Sequence, residues 1–189
     1  MTDIKQGRIG LIVGSNRPQR LSRPIAEWLG GALAHDGLAV SLIDLAAVNL
    51  PFLDEPDIPA RGNYQHAHTK AWSETIRAHD GFILLFPQYN WGYPAVLKNA
   101  LDYLYAEWAG KPVSLVSFGG HGGFQAMLAM NLVVSGLRMV QMATNLQLTV
   151  PPEIQGEPEP QAALEHVLAP YRSDVRSLAD EFARKLSKA

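Results

Sequence analysis

The 189 residues, 47% hydrophobic and 18% charged, suit one soluble globular domain, residues 1–189, with a substantial buried core. A formal net charge of −2 gives no footprint for nucleic acid, no polybasic run addresses an anionic membrane, and no apolar run approaches the ~18 residues of a membrane span. The absence of cysteine excludes disulfides, thiolate metal sites and thiol nucleophiles, and the start MTDIKQGRIG lacks a signal peptide's apolar region, so a cytoplasmic protein is expected.

In chain order, RIGLIVGS is a short β-branched apolar run, the pattern of a strand buried on both faces. From Pro24 to His35, Ile25, Trp28, Leu29, Ala32 and Leu33 recur at three- and four-residue spacing and mark one helix face. LAVSLIDL reads as the second strand, residues 49–66 as a long loop rich in proline and acids, and residues 67–79 as a helix. GFILLFP is the clearest strand of the chain. Pro94 suits a helix's first turn, with Val96, Leu97, Ala100, Leu101 and Leu104 as the buried stripe that follows. KPVSLVSFGG is a further buried strand, and Phe124 to Gly136 is helical. A fifth strand is expected within residues 139–149, although QMATNLQLTV alternates more than it runs. Beyond the proline-rich residues 151–160, Val175, Leu178, Ala179, Phe182 and Leu186 mark a closing amphipathic helix.

Strands alternating with helices of this length predict a doubly wound α/β fold, a parallel sheet covered on both faces. Five strands fit the flavodoxin-like order 2-1-3-4-5, whose ligand site lies beyond the carboxyl ends of the strands at the switch point. The segments expected there are GSNRPQRLSR, PQYNWGY and SFGGHGG, compositionally the oddest of the chain.

The first segment combines a glycine turn, the hydroxyls of Ser15 and Ser22 and the guanidinium groups of Arg17 and Arg20 just before a helix N-terminus. Loop amides, the helix dipole and charge-assisted arginine bonds favour an anion there, and phosphate is the natural guest. The loop has neither GxGxxG nor a GK[ST] ending. A serine cap with solvated arginines is the alternative. In the second segment Tyr89, Trp91 and Tyr93 are three aromatics in five loop residues, which could form a core or interface cluster. A planar ligand with a phosphate tail would use both segments, and Gly119-Gly120 would let backbone amides approach its ring. FMN has that shape.

GSNRPQR, PQYNWGYPAVLKNALDYLYAEWAGKP and VSFGGHGG resemble the NADPH-dependent FMN reductase family, which includes quinone, azo-dye and chromate reductases; the similarity spans roughly residues 8 to 150. The resemblance implies a flavodoxin-like fold, noncovalent FMN and hydride transfer from NADPH or NADH to the flavin and on to quinone-like or other small acceptors, in ping-pong fashion. Carried over by position, Ser15, Arg17, Arg20 and Ser22 match the phosphate loop. Pro87, Tyr89, Asn90 and Trp91 match the loop against the ring system and ribityl chain, and Ser117, Gly119 and Gly120 the loop at its pyrimidine edge. Gln88 stands in this loop where the family usually has glutamate.

No general base is expected, because the cofactor carries the chemistry and the protein positions it. A preference for NADPH over NADH follows from the resemblance alone. The alternative function is a flavodoxin-type electron carrier, or a flavin-bound sensor, without NAD(P)H turnover. A homodimer or dimer of dimers is also implied, with Tyr103, Tyr105 and Trp108 expected as a partly exposed aromatic surface on the helix after Pro94. His121 is a candidate contact at the flavin edge. His66 and His68 read as a solvated segment rather than a metal pair, the acidic run at 54–57 as a solvated loop without EF-hand spacing, and Met127 with Met130 as core.

Overall fold

A computed structural model describes residues 6–34 and 37–187. The start Met1–Lys5 and the expected helix end at His35 lie outside the described residues.

Consecutive side chains of a strand face opposite sides, and here both sides are apolar. In β1 (Gly7–Val13), Ile9, Leu11 and Val13 enter one buried cluster while Ile12 enters another. In β3 (Gly81–Pro87), Ile83 and Leu85 join the first cluster, and Phe82, Leu84 and Phe86 the second. Helices α1 (Ser22–Ala32), α6 (Gln161–Leu168) and α7 (Arg172–Leu186) close the first side. Helices α3 (Ala67–Arg77), α4 (Ala95–Asp102) and α5 (Phe124–Gly136) close the second, and Met127 and Met130 are core there. The one-turn α2 (Leu45–Val48) follows β2 (Leu38–Asp44) directly.

The sheet runs β2-β1-β3-β4-β5, all parallel, with β4 spanning Pro112–Gly119. Its fifth position is split between β5 (Val140–Gln141) and β6 (Leu146–Thr149), both paired with β4. The break has a local cause. Asn145 Oδ1 takes the amide of Leu115 (2.7 Å), and Glu181 of α7 takes the amides of Ala143 and Thr144 (2.8 and 3.0 Å). The amides of Ala143 and Thr144, which leave the ladder here, are thus satisfied by a side chain. Helix α6 follows the proline-rich stretch, and sequence periodicity did not predict it.

One expectation fails here. Tyr103 and Trp108 are fully buried, and Tyr105 is half-buried, so there is no aromatic patch. The helix after Pro94 stops at Asp102, and the chain then turns inward, so extrapolating its wheel misplaces these side chains. The Trp108 indole donates to Leu101 O (3.1 Å), and the Tyr103 hydroxyl lies within reach of three acceptors for its one proton, Pro51 O, Phe52 O and Asp54 Oδ1 (3.2, 3.2 and 3.0 Å). Tyr103 fastens the long loop to the α4 end, and Trp108 packs on Trp72 and Phe82 in the core. Large apolar groups are exposed elsewhere: Phe52, and along α5 the stripe Phe124, Leu128 and Leu132.

Candidate functional site

The carboxyl ends of β1, β3 and β4 bring the predicted segments to one edge of the sheet. Leaving β1, Gly14 donates its amide to Leu85 O (2.8 Å), and an added Cβ would lie 2.9 Å from that oxygen, so only glycine fits. Ser15 is fully buried, and its hydroxyl lies 2.8 Å from the Tyr89 hydroxyl, which ties the first loop to the second.

Ser22 opens α1, where no side chain caps the helix. Its hydroxyl is buried and without a hydrogen-bond partner. An orphaned buried hydroxyl costs about 1–3 kcal/mol, so a ligand acceptor is the natural counterpart. The Arg17 side chain is exposed and has no partner among the described residues.

Arg20 behaves differently from its neighbour. Its guanidinium is held 2.7 Å from Asp44 Oδ2 at the end of β2, which leaves only its Nε buried and unpaired. Asp44 also accepts from Ala46 N (3.1 Å) to cap α2. Nothing in the sequence singled out Asp44; its position at a strand end was the available signal.

The second loop is a tight turn. Gln88 continues the ladder through its amide to Phe118 O (3.0 Å), and Tyr89 and Gly92 exchange both backbone bonds (2.8 and 2.9 Å). Asn90 and Trp91 between them are left-handed, at φ 47° and 67°. Asparagine tolerates this, whereas a bulky residue there is an outlier costing about 1–3 kcal/mol. The Trp91 indole is 73% exposed. The three aromatics are thus separated: Tyr89 is tied to Ser15, Tyr93 packs on the core, and Trp91 alone is a free face.

In the third loop Ser117 is buried and donates its hydroxyl to Gly122 O (2.7 Å), so it braces the loop from within. The strained glycines are Gly122 and Gly123, at φ 72° and 76°, rather than Gly119-Gly120. A Cβ on Gly122 would meet Gln147 Cβ at 3.0 Å, and one on Gly123 would meet Ser117 Cβ at 3.1 Å. At Gly120 an added Cβ meets nothing within 4 Å, so its backbone faces open space. His121 is exposed beside it. Gln88 reaches across, its Oε1 accepting from Ala126 N (3.1 Å) in the first turn of α5.

A cleft of about 450 Å³ adjoins Tyr89, walled by Asn16, Pro51, Phe52, Pro94 and Val96. The long-loop wall was not foreseen. Asn99 builds it by accepting from Leu53 N (2.9 Å) and donating to Pro51 O (2.7 Å). A hollow of about 760 Å³ lies at the opposite end of the sheet, around Lys111 and Pro112, away from the converging loops. Among the described residues there is no metal-binding group of His, Asp and Glu, and no helix is long and apolar enough to cross a membrane. His66 and His68 are not merely solvated. They stack on each other and bond to Asp54 (3.2 Å to its carbonyl, 2.9 Å to Oδ1).

A family model for NADPH-dependent FMN reductases matches residues 8–150, which contain all three loops. The chain belongs to the NADPH-dependent FMN reductase family. An NAD(P)H-dependent FMN reductase of Schizosaccharomyces pombe is 42% identical over 158 residues, covering 81% of this chain and 79% of that protein. A quinone reductase of Pseudomonas putida is 33% identical over 143 residues, 71% of this chain and 74% of its own. FerB, a flavoenzyme NAD(P)H:(acceptor) oxidoreductase from Paracoccus denitrificans, shares the fold with a TM-score of 0.73 at 18% identity, covering 94% of this chain and 98% of that one. This FMN reductase family member is accordingly an FMN-dependent NAD(P)H oxidoreductase.

The residues present suit FMN. A free guanidinium (Arg17), an orphaned hydroxyl (Ser22) and an uncapped helix start make a donor set for a phosphate, and the open face at Gly120 leaves room for a ring.

Proposed function

We propose that the three loops hold FMN and that this chain reduces flat, quinone-like acceptors. The observation that carries the site assignment is the buried, unpartnered Ser22 hydroxyl at the uncapped start of α1, with the unpaired Arg17 in the same loop. Arg17 and Ser22 would hold the phosphate. Arg20, committed to Asp44 through Nη2, would shape the loop, with its remaining N–H groups, the buried Nε among them, as further donors. Ser15 and Tyr89 would fix the spacing between phosphate and ring loops, while Pro87, Asn90 and Trp91 would form the wall beside the ring. Gly119 and Gly120 would offer backbone at its other edge, and Ser117 would keep that backbone in place.

When bound, FMN supplies the two-electron chemistry, taking hydride from NAD(P)H and passing electrons to the acceptor. The chain contributes position, hydrogen bonds and exclusion of water. No side chain of the site is assigned a general-base role. The cleft beside Tyr89 and Phe52 is open and largely apolar, which supports a flat uncharged acceptor; donor and acceptor using this cleft in turn, in ping-pong fashion, is part of the proposal. NADPH is the proposed preferred donor, on family membership; equal kcat/KM for NADH would overturn that preference.

A homodimer, or a dimer of dimers, is part of the proposal. Its support is now the uncharged helix α5, which shows Phe124, Leu128 and Leu132 to solvent, together with exposed Phe52 and Leu53 next to the cleft. Replacing Leu128 and Leu132 by glutamate should weaken association in sedimentation, and a wild-type monomer at micromolar concentration would refute it. Dependence on an intracellular NAD(P)H pool supports a cytoplasmic setting.

The central test is anaerobic mixing of the FMN-loaded protein with NADPH or NADH while flavin absorbance is followed. Rapid bleaching is expected. Indifference to both donors would leave an electron carrier or a sensor.

A further inference from the structure

Gln88 lies at the end of β3, the position where the sequence departs from the family pattern, and its side chain makes one hydrogen bond only. Its Oε1 accepts the Ala126 amide at 3.1 Å, in the first turn of α5. An amide N–H can be met only by the oxygen of a carboxamide, so this bond decides which end of the side chain is which. The Nε2 group therefore faces away from α5, and it has no acceptor among the described residues. Gln88 is half-buried and borders the third loop, its Cβ 4.0 Å from where a Cβ on Gly119 would sit. Beyond Gly119 the backbone of Gly120 borders open space. The result is a fixed neutral donor, with two N–H groups, between the β3 and β4 loops.

Resting on the FMN assignment above, we propose that Gln88 Nε2 donates a hydrogen bond to the FMN ring system, and that the Oε1 contact with α5 holds it in place for this. A preorganised donor favours the more electron-rich state of its partner, because hydrogen bonds to charged or electron-rich acceptors are the stronger ones. Gln88 thus favours reduced over oxidised FMN and raises the reduction potential of the bound cofactor. A carboxylate here would still accept the Ala126 amide, and the positive N-terminus of α5 would favour it. It would offer no proton and would place negative charge beside the reduced ring. Q88E therefore keeps the structural role and removes the electronic one.

The test compares wild type, Q88E and Q88M for affinity towards oxidised FMN, midpoint potential of the bound FMN, and thermal stability. Oxidised FMN is expected to bind all three within about threefold. In Q88E the affinity for reduced FMN should fall at least tenfold relative to oxidised, which for a two-electron couple is a drop of about 30 mV. Q88M, which removes the donor without adding charge, should show a smaller drop in the same direction and a lower melting temperature, since the Ala126 amide loses its acceptor. Equal potentials in all three proteins would overturn the proposal. A drop in Q88E alone, with Q88M matching wild type, would show charge repulsion without a donor and would overturn it as well. Failure of the wild type to bind FMN would instead remove the underlying assignment, before any variant is compared.

Discussion

The same edge of the sheet carries two kinds of loop. The β2–α3 connection, residues 49–66, is long and proline-rich, yet its acids are engaged. Glu107 anchors it from below, buried, accepting from Tyr64 (2.9 Å), Ser73 (2.7 Å) and Arg77 (3.0 Å). Glu55 accepts the amides of Gln65 and His66, and Asp54 accepts from Tyr103 and bonds His68. The β1, β3 and β4 loops, by contrast, keep a buried orphan hydroxyl at Ser22, a free guanidinium at Arg17 and a left-handed tryptophan at Trp91. A folded chain leaves polar groups unpaired and backbone strained mainly where something else is to bind. The contrast is one of degree, since Thr69 Oγ1 on α3 and Trp28 Nε1 on α1 are also buried without a partner and Asn49 of the long loop is left-handed at φ 50°.

Protonation follows the same division. Burial works against the Glu107 carboxylate, but its bonds to Ser73, Tyr64 and Arg77 prevail and hold it below the usual range. Asp54 is likewise held low, with desolvation outweighed by His68 and Tyr103. The Tyr103 phenol is pushed up to about 12, by burial first and by Asp54 second, so it stays a donor.

Breaking the scaffold should have the largest effect. Glu107→Ala removes the acceptor of Tyr64, Ser73 and Arg77 and should lower stability by about 3 kcal/mol in urea unfolding. Its FMN affinity, measured where the variant is folded, should stay within about twofold of wild type. A large loss of affinity would show that the two regions are coupled.

Arg17→Ala attacks the other side of the contrast. It should weaken FMN binding by about 1.5–3 kcal/mol, ten- to hundredfold, through loss of a charge-assisted bond. The apoprotein's melting temperature should not move, and riboflavin, which has no phosphate, should bind both proteins alike. Titration with the two flavins decides it, and equal FMN affinity would refute the phosphate role.

Trp91→Gly tests the strain directly. Relieving a left-handed bulky residue should stabilise the apoprotein by about 1 kcal/mol, while FMN affinity falls with the lost wall. A destabilised variant would mean that the turn is set by packing of the indole.

The smallest effect is on pH dependence. Carboxylates with depressed folded pKa values stabilise above their unfolded value, about 4, and this is lost as pH falls through the folded value. This contribution should therefore be present above about pH 4 and decline as pH falls below it. Asp54→Asn should make the acid limb shallower in chemical denaturation, and an unchanged limb would assign the loss to other groups.

Much of this was written locally. Apolar runs specify strands buried on two faces, strand–helix alternation specifies a parallel sheet because parallel neighbours need crossovers, and the observed order 2-1-3-4-5 is one that this pattern fits. The converging loops were legible too, because short polar segments between apolar ones must fall at strand ends. What one-dimensional periodicity does not contain is where a helix stops and what a side chain meets from afar. Tyr103 and Trp108 read as a surface only while α4 is extrapolated past Asp102; the tertiary turn buries them. Arg20 and Arg17 are alike in the sequence, yet Asp44, 24 residues from Arg20, claims one and leaves the other free. Gln88 is a loop amide until Ala126, 38 residues away, takes its oxygen and so exposes its nitrogen. Local pattern determines which elements form, because propensity and burial act between near neighbours. Pairing across the fold decides which polar groups remain available, because it depends on distances that only the packed chain sets.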